Sequence, residues 1–176
     1  MQSSEPARKP LWAGRIWDVL AIAVVAFALW KMLVAPRWFS APRSFPAPHA
    51  AYERIDGGVF RVAAERGRVV FVDFYATWCV PCKAELPLVE AWSRGHPNAV
   101  VVPVDVGESR SVVAAFARRY DLRDVAVDPR ASARALFGVV GFPTIVVIDR
   151  EGYIRAKWEG LNPAIEPALS HALTSL

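Results

Sequence analysis

The first strong pattern along the chain is a charge-free apolar run of twelve residues, V-L-A-I-A-V-V-A-F-A-L-W from Val19 to Trp30. Extended to Ile16 and Val34 it covers nineteen residues, with Asp18 and Lys31 near its ends, where side chains can reach lipid head groups. A helix of that length spans roughly 28 Å, about the hydrocarbon core of a bilayer. Trp12, Trp17, Trp30 and Trp38 flank the run as interfacial aromatics do. The pattern predicts a cytoplasmic tail at residues 1–15, a transmembrane anchor at 16–34 and a domain exported beyond it. A cleaved signal peptide fits less well. Leu33-x-Ala35 runs into Pro36, and Phe39-x-Ala41 has a large residue where a small one belongs. Residues 35–50 hold four prolines and read as a semi-rigid spacer.

Residues 51–176 read as one domain in which the hydrophobic period alternates. Tyr52–Ile55 and Val59–Val62 flank Asp56-Gly57-Gly58, a hairpin signal. Arg68–Tyr75 and Ala99–Val106 are near-continuous apolar runs, as strands buried on both faces should be. Cys79–Arg94 and Ser109–Tyr120 carry helical spacing, the second with Ser109 as a candidate cap. A short strand is predicted near Val125–Val127 and a helix near Arg130–Phe137. Thr144–Asp149 and Tyr153–Trp158 pair through Arg150-Glu151-Gly152, and Pro163–Leu173 closes as a helix. Strands alternating with helices predict an α/β domain with a mixed sheet covered on both sides. Pro103 stands inside a strand pattern, which requires a bulge or an edge-like position.

Charge changes the picture by exclusion. Of 21 Lys/Arg and 17 Asp/Glu, six and two fall in residues 1–48, so residues 49–176 hold 15 of each. The basic surplus belongs to the membrane-proximal part, and the domain has no net field to attract nucleic acid. Two cysteines exclude a multi-disulfide scaffold and a four-thiolate zinc site, and His49, His96 and His171 are scattered.

Those two cysteines stand in Trp78-Cys79-Val80-Pro81-Cys82-Lys83, where a predicted buried strand turns into a helix. A thiolate at Cys79 would be stabilised by the unpaired amides and positive dipole end of that helix. Cys82 follows one turn inward, within reach of a mixed disulfide on Cys79. Pro81 fits the first helical turn, and Pro87 removes a hydrogen bond to Lys83 and predicts a kink. A purely structural disulfide closes too small a loop to stabilise much. Haem attachment needs His where Lys83 stands, and a peroxidase needs Pro and Thr where Val72 and Ala76 stand. Asp73 interrupts an apolar strand, so burial should raise its pKa and make it a candidate proton acceptor for Cys82. A backbone or lysine partner is the alternative there. Glu85, one turn beyond Cys82, could tune the thiols or simply be a solvated helix residue. Gly141-Phe142-Pro143-Thr144 precedes an apolar strand and is a candidate cis-proline loop.

V-D-F-Y-A-T-W-C-V-P-C-K and G-F-P-T resemble the active-site strand and cis-proline loop of the thioredoxin superfamily. More narrowly, C-V-P-C-K-A-E-L-P, V-D-V-G-E-S and the distance to G-F-P-T resemble the membrane-anchored TlpA/ResA-type thiol-disulfide oxidoreductases. The resemblance covers roughly residues 50–175. It implies a thioredoxin-like mixed sheet flanked by helices, with an N-terminal hairpin and a strand–helix insertion within Asp105–Phe137, before the cis-proline loop. By that likeness Cys79 attacks, Cys82 resolves, and Pro143 is the cis-proline opposite them. Trp78, Pro81 and Phe142 would join Pro143 in contacting the client. Asp73 matches the buried thioredoxin carboxylate and Glu85 the glutamate of the ResA-type subgroup, although many exported relatives carry Asn where Asp73 stands. The likeness implies no cofactor and no metal beyond the redox-active Cys79–Cys82 disulfide. It also implies a single-pass monomer of the bacterial cytoplasmic membrane, with the catalytic domain on the periplasmic or extracytoplasmic side. Implied clients are apocytochrome c or copper assembly factors, recharging coming from a membrane electron donor of the CcdA/DsbD kind. Val80-Pro81 supplies no cation to stabilise the thiolate further, which favours a protein-disulfide reductase. An exported disulfide oxidant or isomerase, and a Cu(I) metallochaperone, are the competing readings.

Overall fold

The computed structural model describes residues 20–26 and 45–176. Residues 20–26 form an exposed helical segment, α1. The tail 1–15, the rest of the expected anchor 16–34 and residues 35–44 of the spacer lie outside the described residues. Among the described residues no helix is long and apolar enough to cross a membrane.

The domain opens with β1 (Phe45–Pro46), β2 (Ala51–Arg54) and β3 (Val59–Arg61), followed by a 3-10 turn at Val62–Glu65. Then come β4 (Val69–Tyr75), α2 (Val80–Gly95), β5 (Ala99–Val106), α3 (Arg110–Tyr120), β6 (Ala126–Asp128) and α4 (Ala133–Phe137). It closes with β7 (Thr144–Ile148), β8 (Tyr153–Glu159) and α5 (Ile165–Ser175). All eight strands join one mixed sheet in the order β1-β8-β7-β4-β5-β6-β2-β3. β6 and α4 are the strand–helix insertion expected before the cis-proline loop. Its strand extends the sheet parallel to β5 and receives the β2–β3 hairpin on its outer edge.

β4 sits between β5 and β7, and all seven of its residues are buried, which explains its unbroken apolar run. Alternation splits its side chains. Val69 and Phe71 pack with Trp92, Ile145, Val147 and Leu169 beneath α2 and α5. Val70, Val72 and Phe74 pack with Phe60, Val104, Phe137 and Val146 on the other face. By the same period Asp73 falls on the α2 side. The indole N–H of Trp92 donates to Ser170 Oγ at 2.8 Å, and its ring meets Phe71 edge-on at 5.4 Å, tying both helices to the sheet.

Pro103 pairs with Asp73 of β4, whereas β6 joins β5 only from Val104 onward. The proline therefore has a strand on one flank alone, the edge-like setting it requires. Phe45–Pro46, inside the segment read as a spacer, adds a two-residue edge strand antiparallel to β8. An edge tolerates proline for the same reason. Ser109 occupies the N-cap of α3 but makes no capping bond, and its hydroxyl lies 3.2 Å from Ser111 Oγ instead. α2 runs through Pro87 to Gly95 without interruption.

Leu169 is fully buried between α5 and the sheet. Leu169→Ala should cost about 2–5 kcal/mol. Urea unfolding of the variant should show a lower midpoint with an unchanged slope.

Candidate active site

The reactive loop begins where β4 ends. Tyr75 and Ala76 are buried, the chain turns through Thr77 and Trp78, and the Cys79 N–H donates to the Ala76 carbonyl at 3.0 Å. Cys79 is the N-cap of α2, with extended backbone, and its Sγ accepts the Cys82 N–H at 3.2 Å. The Lys83 N–H closes the first turn on the Cys79 carbonyl at 3.3 Å. Pro81 lies in that turn, where no amide is needed. The two cysteines are joined in a disulfide, with Cα atoms 5.3 Å apart. Cys82 is fully buried, whereas Cys79 lies at the edge of a surface groove. Cys79 sits at the amide-rich, positive end of α2, and Cys82 lies inside the first turn.

The groove has a volume of about 460 Å³ and is lined by Trp78, Cys79, Val80, Pro81, Arg134, Val140 and the Gly141–Phe142 segment. The Phe142–Pro143 peptide bond is cis. The loop is held from both sides: Thr144 Oγ1 donates to the Gly141 carbonyl at 2.8 Å, and the Gly160 N–H donates to the Pro143 carbonyl at 2.8 Å. Trp78 and Val80 are exposed, and the Trp78 ring meets Phe142 edge-on at 5.9 Å. Three of the client-contacting candidates, Trp78, Pro81 and Phe142, thus border one groove with Cys79, while Pro143 is buried beneath it.

Both expected carboxylates are buried. Asp73 is 0 % exposed, and neither carboxyl oxygen has a hydrogen-bond partner among the described residues. Burial, reinforced by the nearby Glu85 charge, holds its pKa well above the usual carboxylate range. The alternative partner from the backbone or a lysine is not observed. Glu85 is 2 % exposed rather than solvated. Burial pushes its pKa up to about 7, partly offset by the Asn162 N–H, which donates to Oε2 at 2.9 Å. Asp73 on β4 and Glu85 on α2 thus form a buried carboxyl pair in which ionisation is opposed near neutral pH.

A second polar cluster escaped the sequence reading. Glu108 accepts the Thr77 N–H at 2.6 Å and the Thr77 hydroxyl at 2.7 Å, gripping the loop two residues before Cys79. Burial opposes ionisation of Glu108, but the Thr77 hydrogen bonds outweigh it and lower its pKa. Asp105, fully buried opposite Tyr75 in the ladder, accepts the Glu108 N–H at 3.1 Å. Burial and the adjoining Glu108 carboxylate raise Asp105 to about 8. The signal was available: Asp105 interrupts an apolar strand as Asp73 does. Asn162 carried none, because it reaches Glu85 from 77 residues away. Among the described residues no group of three or more His, Cys, Asp and Glu is placed to hold a metal ion.

A strand leading into a helix-capping disulfide, faced by a cis-proline loop on a mixed sheet, defines a thiol-disulfide oxidoreductase of thioredoxin type. Residues 44–157 match the AhpC/TSA family, and the chain belongs to that family. It is similar to the thiol-disulfide oxidoreductase ResA of Bacillus thuringiensis subsp. konkukian, with 29 % identity over 65 % of this chain and 68 % of the relative. The thioredoxin-like protein YneN of Bacillus subtilis is 24 % identical over 78 % of this chain and 84 % of its own. Among solved structures, a chain from Chlorobium tepidum described as a thiol:disulfide interchange protein DsbE superposes with a TM-score of 0.67. It is 29 % identical and covers 77 % of this chain and 98 % of its own.

Because Glu85 holds its proton more tightly folded than unfolded, its contribution to stability is complete below about pH 4.5 and is lost as pH rises through about 7. Relative to Glu85→Gln, the wild type should lose up to about 3 kcal/mol over that interval. Denaturant unfolding of the oxidised protein at stepped pH measures the difference.

Proposed function

We propose that this chain is an exported, membrane-anchored protein-disulfide reductase serving cytochrome c maturation or copper-site assembly in respiratory oxidases. The observation that carries the exchange chemistry is the asymmetry of the pair: Cys79, 4 % exposed, borders a groove, whereas Cys82 is sealed from solvent on the helix that also carries the buried Glu85. In the reduced enzyme the Cys79 thiolate attacks one sulfur of a client disulfide. That S–S bond breaks, one client sulfur leaves as a thiolate, and the other stays on Cys79 as a mixed disulfide. Cys82 then gives its proton to the buried carboxyl pair through Glu85, which is partly ionised near pH 7, and attacks Cys79 Sγ. The second client sulfur departs and takes up that proton. Two electrons have passed from the dithiol to the client, and the enzyme is left oxidised.

The direction of flow rests on Val80-Pro81, which puts no cation between the cysteines to stabilise the reduced form. Recharging requires a dithiol donor, for which a membrane carrier of the CcdA/DsbD kind fits an enzyme tethered by residues 16–34. Relatives named ResA and DsbE support the exchange reaction. The haem- or copper-pathway clients rest on the resemblance in the C-V-P-C-K-A-E-L-P segment.

Equilibration against glutathione should give a midpoint more negative than about −200 mV, and a value near −120 mV would mark an oxidant instead. Expressed in the native host, Cys82→Ser should hold one or two exported haem- or copper-pathway proteins as mixed disulfides on Cys79. A broad catch of unrelated exported proteins would overturn the client assignment.

A further inference from the structure

The groove beside Cys79 has apolar walls and a single charged side chain, Arg134. That residue is held by more than its own flexible stem. It belongs to α4, whose first turn is fixed by the buried Asp128: Oδ1 accepts the Ser132 hydroxyl at 2.9 Å, and Oδ2 accepts the Ala133 N–H at 2.7 Å. The guanidinium carbon then lies 5.8 Å from the centroid of the Phe142 ring, and Phe142 leans on Trp78. Arg134, Phe142 and Trp78 form a row along the groove that leads to Cys79.

A guanidinium on an aromatic ring uses its face, while its five N–H donors lie in its plane and stay free to bind. Among the described residues no carboxylate pairs with Arg134 and no acceptor takes its side-chain N–H groups. Neighbouring Lys157 is different: its Nζ meets Glu159 at 2.6 Å and the Gly138 carbonyl at 2.7 Å. Its charge is answered within the domain, and that of Arg134 is not.

Resting on the exchange reaction proposed above, we infer that Arg134 is a specificity-determining residue that selects extended client segments bearing Asp or Glu beside the attacked cysteine. The fork of donors matches a carboxylate in bidentate fashion, and apolar walls that shed water on docking strengthen the pair beyond its worth on open surface. The same charge repels a segment with Lys or Arg at that place, so discrimination comes from both signs. Apolar walls alone would accept any hydrophobic segment. A charge at the rim acts mainly on association and is weakened by salt.

The test uses the full chain in detergent, reduced with dithiothreitol and freed of it. It is mixed in single turnover with three disulfide-closed peptides identical except for Asp, Ser or Lys next to the attacked cysteine. The wild type should react fastest with the Asp peptide and slowest with the Lys peptide, over about tenfold at low salt, the spread narrowing as salt rises. Arg134→Glu should invert the order, and Arg134→Lys should keep it. Each comparison is a ratio within one variant, so a general loss of activity cannot imitate inversion. Equal rates on all three peptides in the wild type, or an order untouched by Arg134→Glu, would overturn the inference alone. A wild type that exchanges with none of the peptides, nor with a small dialkyl disulfide, would overturn the exchange reading with it.

Discussion

Removing a carboxyl group from water in the central strand costs free energy that the surrounding packing must offset, and β4 is where this protein meets that cost. The strand is covered on both faces and both edges, so five of its seven side chains are wholly apolar and stabilise the sheet by burial, and Tyr75 adds its ring. Asp73 is the seventh. Neither of its oxygens finds a partner among the described residues, and it resides there by keeping its proton. A proton held only by desolvation moves readily when a neighbouring charge changes. The charge in question is that of Glu85, so the packing of β4 is coupled to the ionisation of a group on α2.

The end of the sheet nearest the cysteines repeats that arrangement. Asp105 faces Tyr75 from the adjacent strand, again buried and again raised, and it steadies the Glu108 that grips Thr77. Two carboxyl pairs therefore flank the reactive loop, Asp73 with Glu85 beneath the helix start and Asp105 with Glu108 beneath the turn. In the proposed exchange, the first pair takes the proton of Cys82. The second holds the backbone that presents Cys79. Their opposite responses follow from their surroundings: Glu108 receives two hydrogen bonds and stays ionised, whereas Asp73 receives none.

The outward side of the loop is built differently. Cys79 meets aromatic and aliphatic walls, with the cis-proline loop opposite and one unanswered guanidinium at the rim. In the exchange proposed above, the buried side serves the ionisation of sulfur and the open side serves the approach of the client. Asp128 connects that rim to the sheet, since the strand that ends at Asp128 also caps the helix that carries Arg134.

Much of this was legible in the chain itself. Hydrophobic period located the strands and helices, because a strand buried on both faces must be apolar throughout and a helix on a sheet must be apolar on one stripe. The cysteine spacing and its place at a strand–helix junction announced the chemistry, because a helix start is where a thiolate is stabilised whatever the rest of the fold. Asp73 and Glu85 could be named but not assigned, since the protonation of a carboxyl depends on how completely other elements seal it from water. The Thr77–Glu108 grip, the Asn162 contact with Glu85 and the placing of Arg134 over Phe142 join residues far apart in order. They exist only once the sheet is assembled. Local patterning therefore determined the elements and the reactive sulfurs. Solvent exclusion and long-range contact, which are properties of the packed domain alone, decided the charge state of the site and the shape of its mouth.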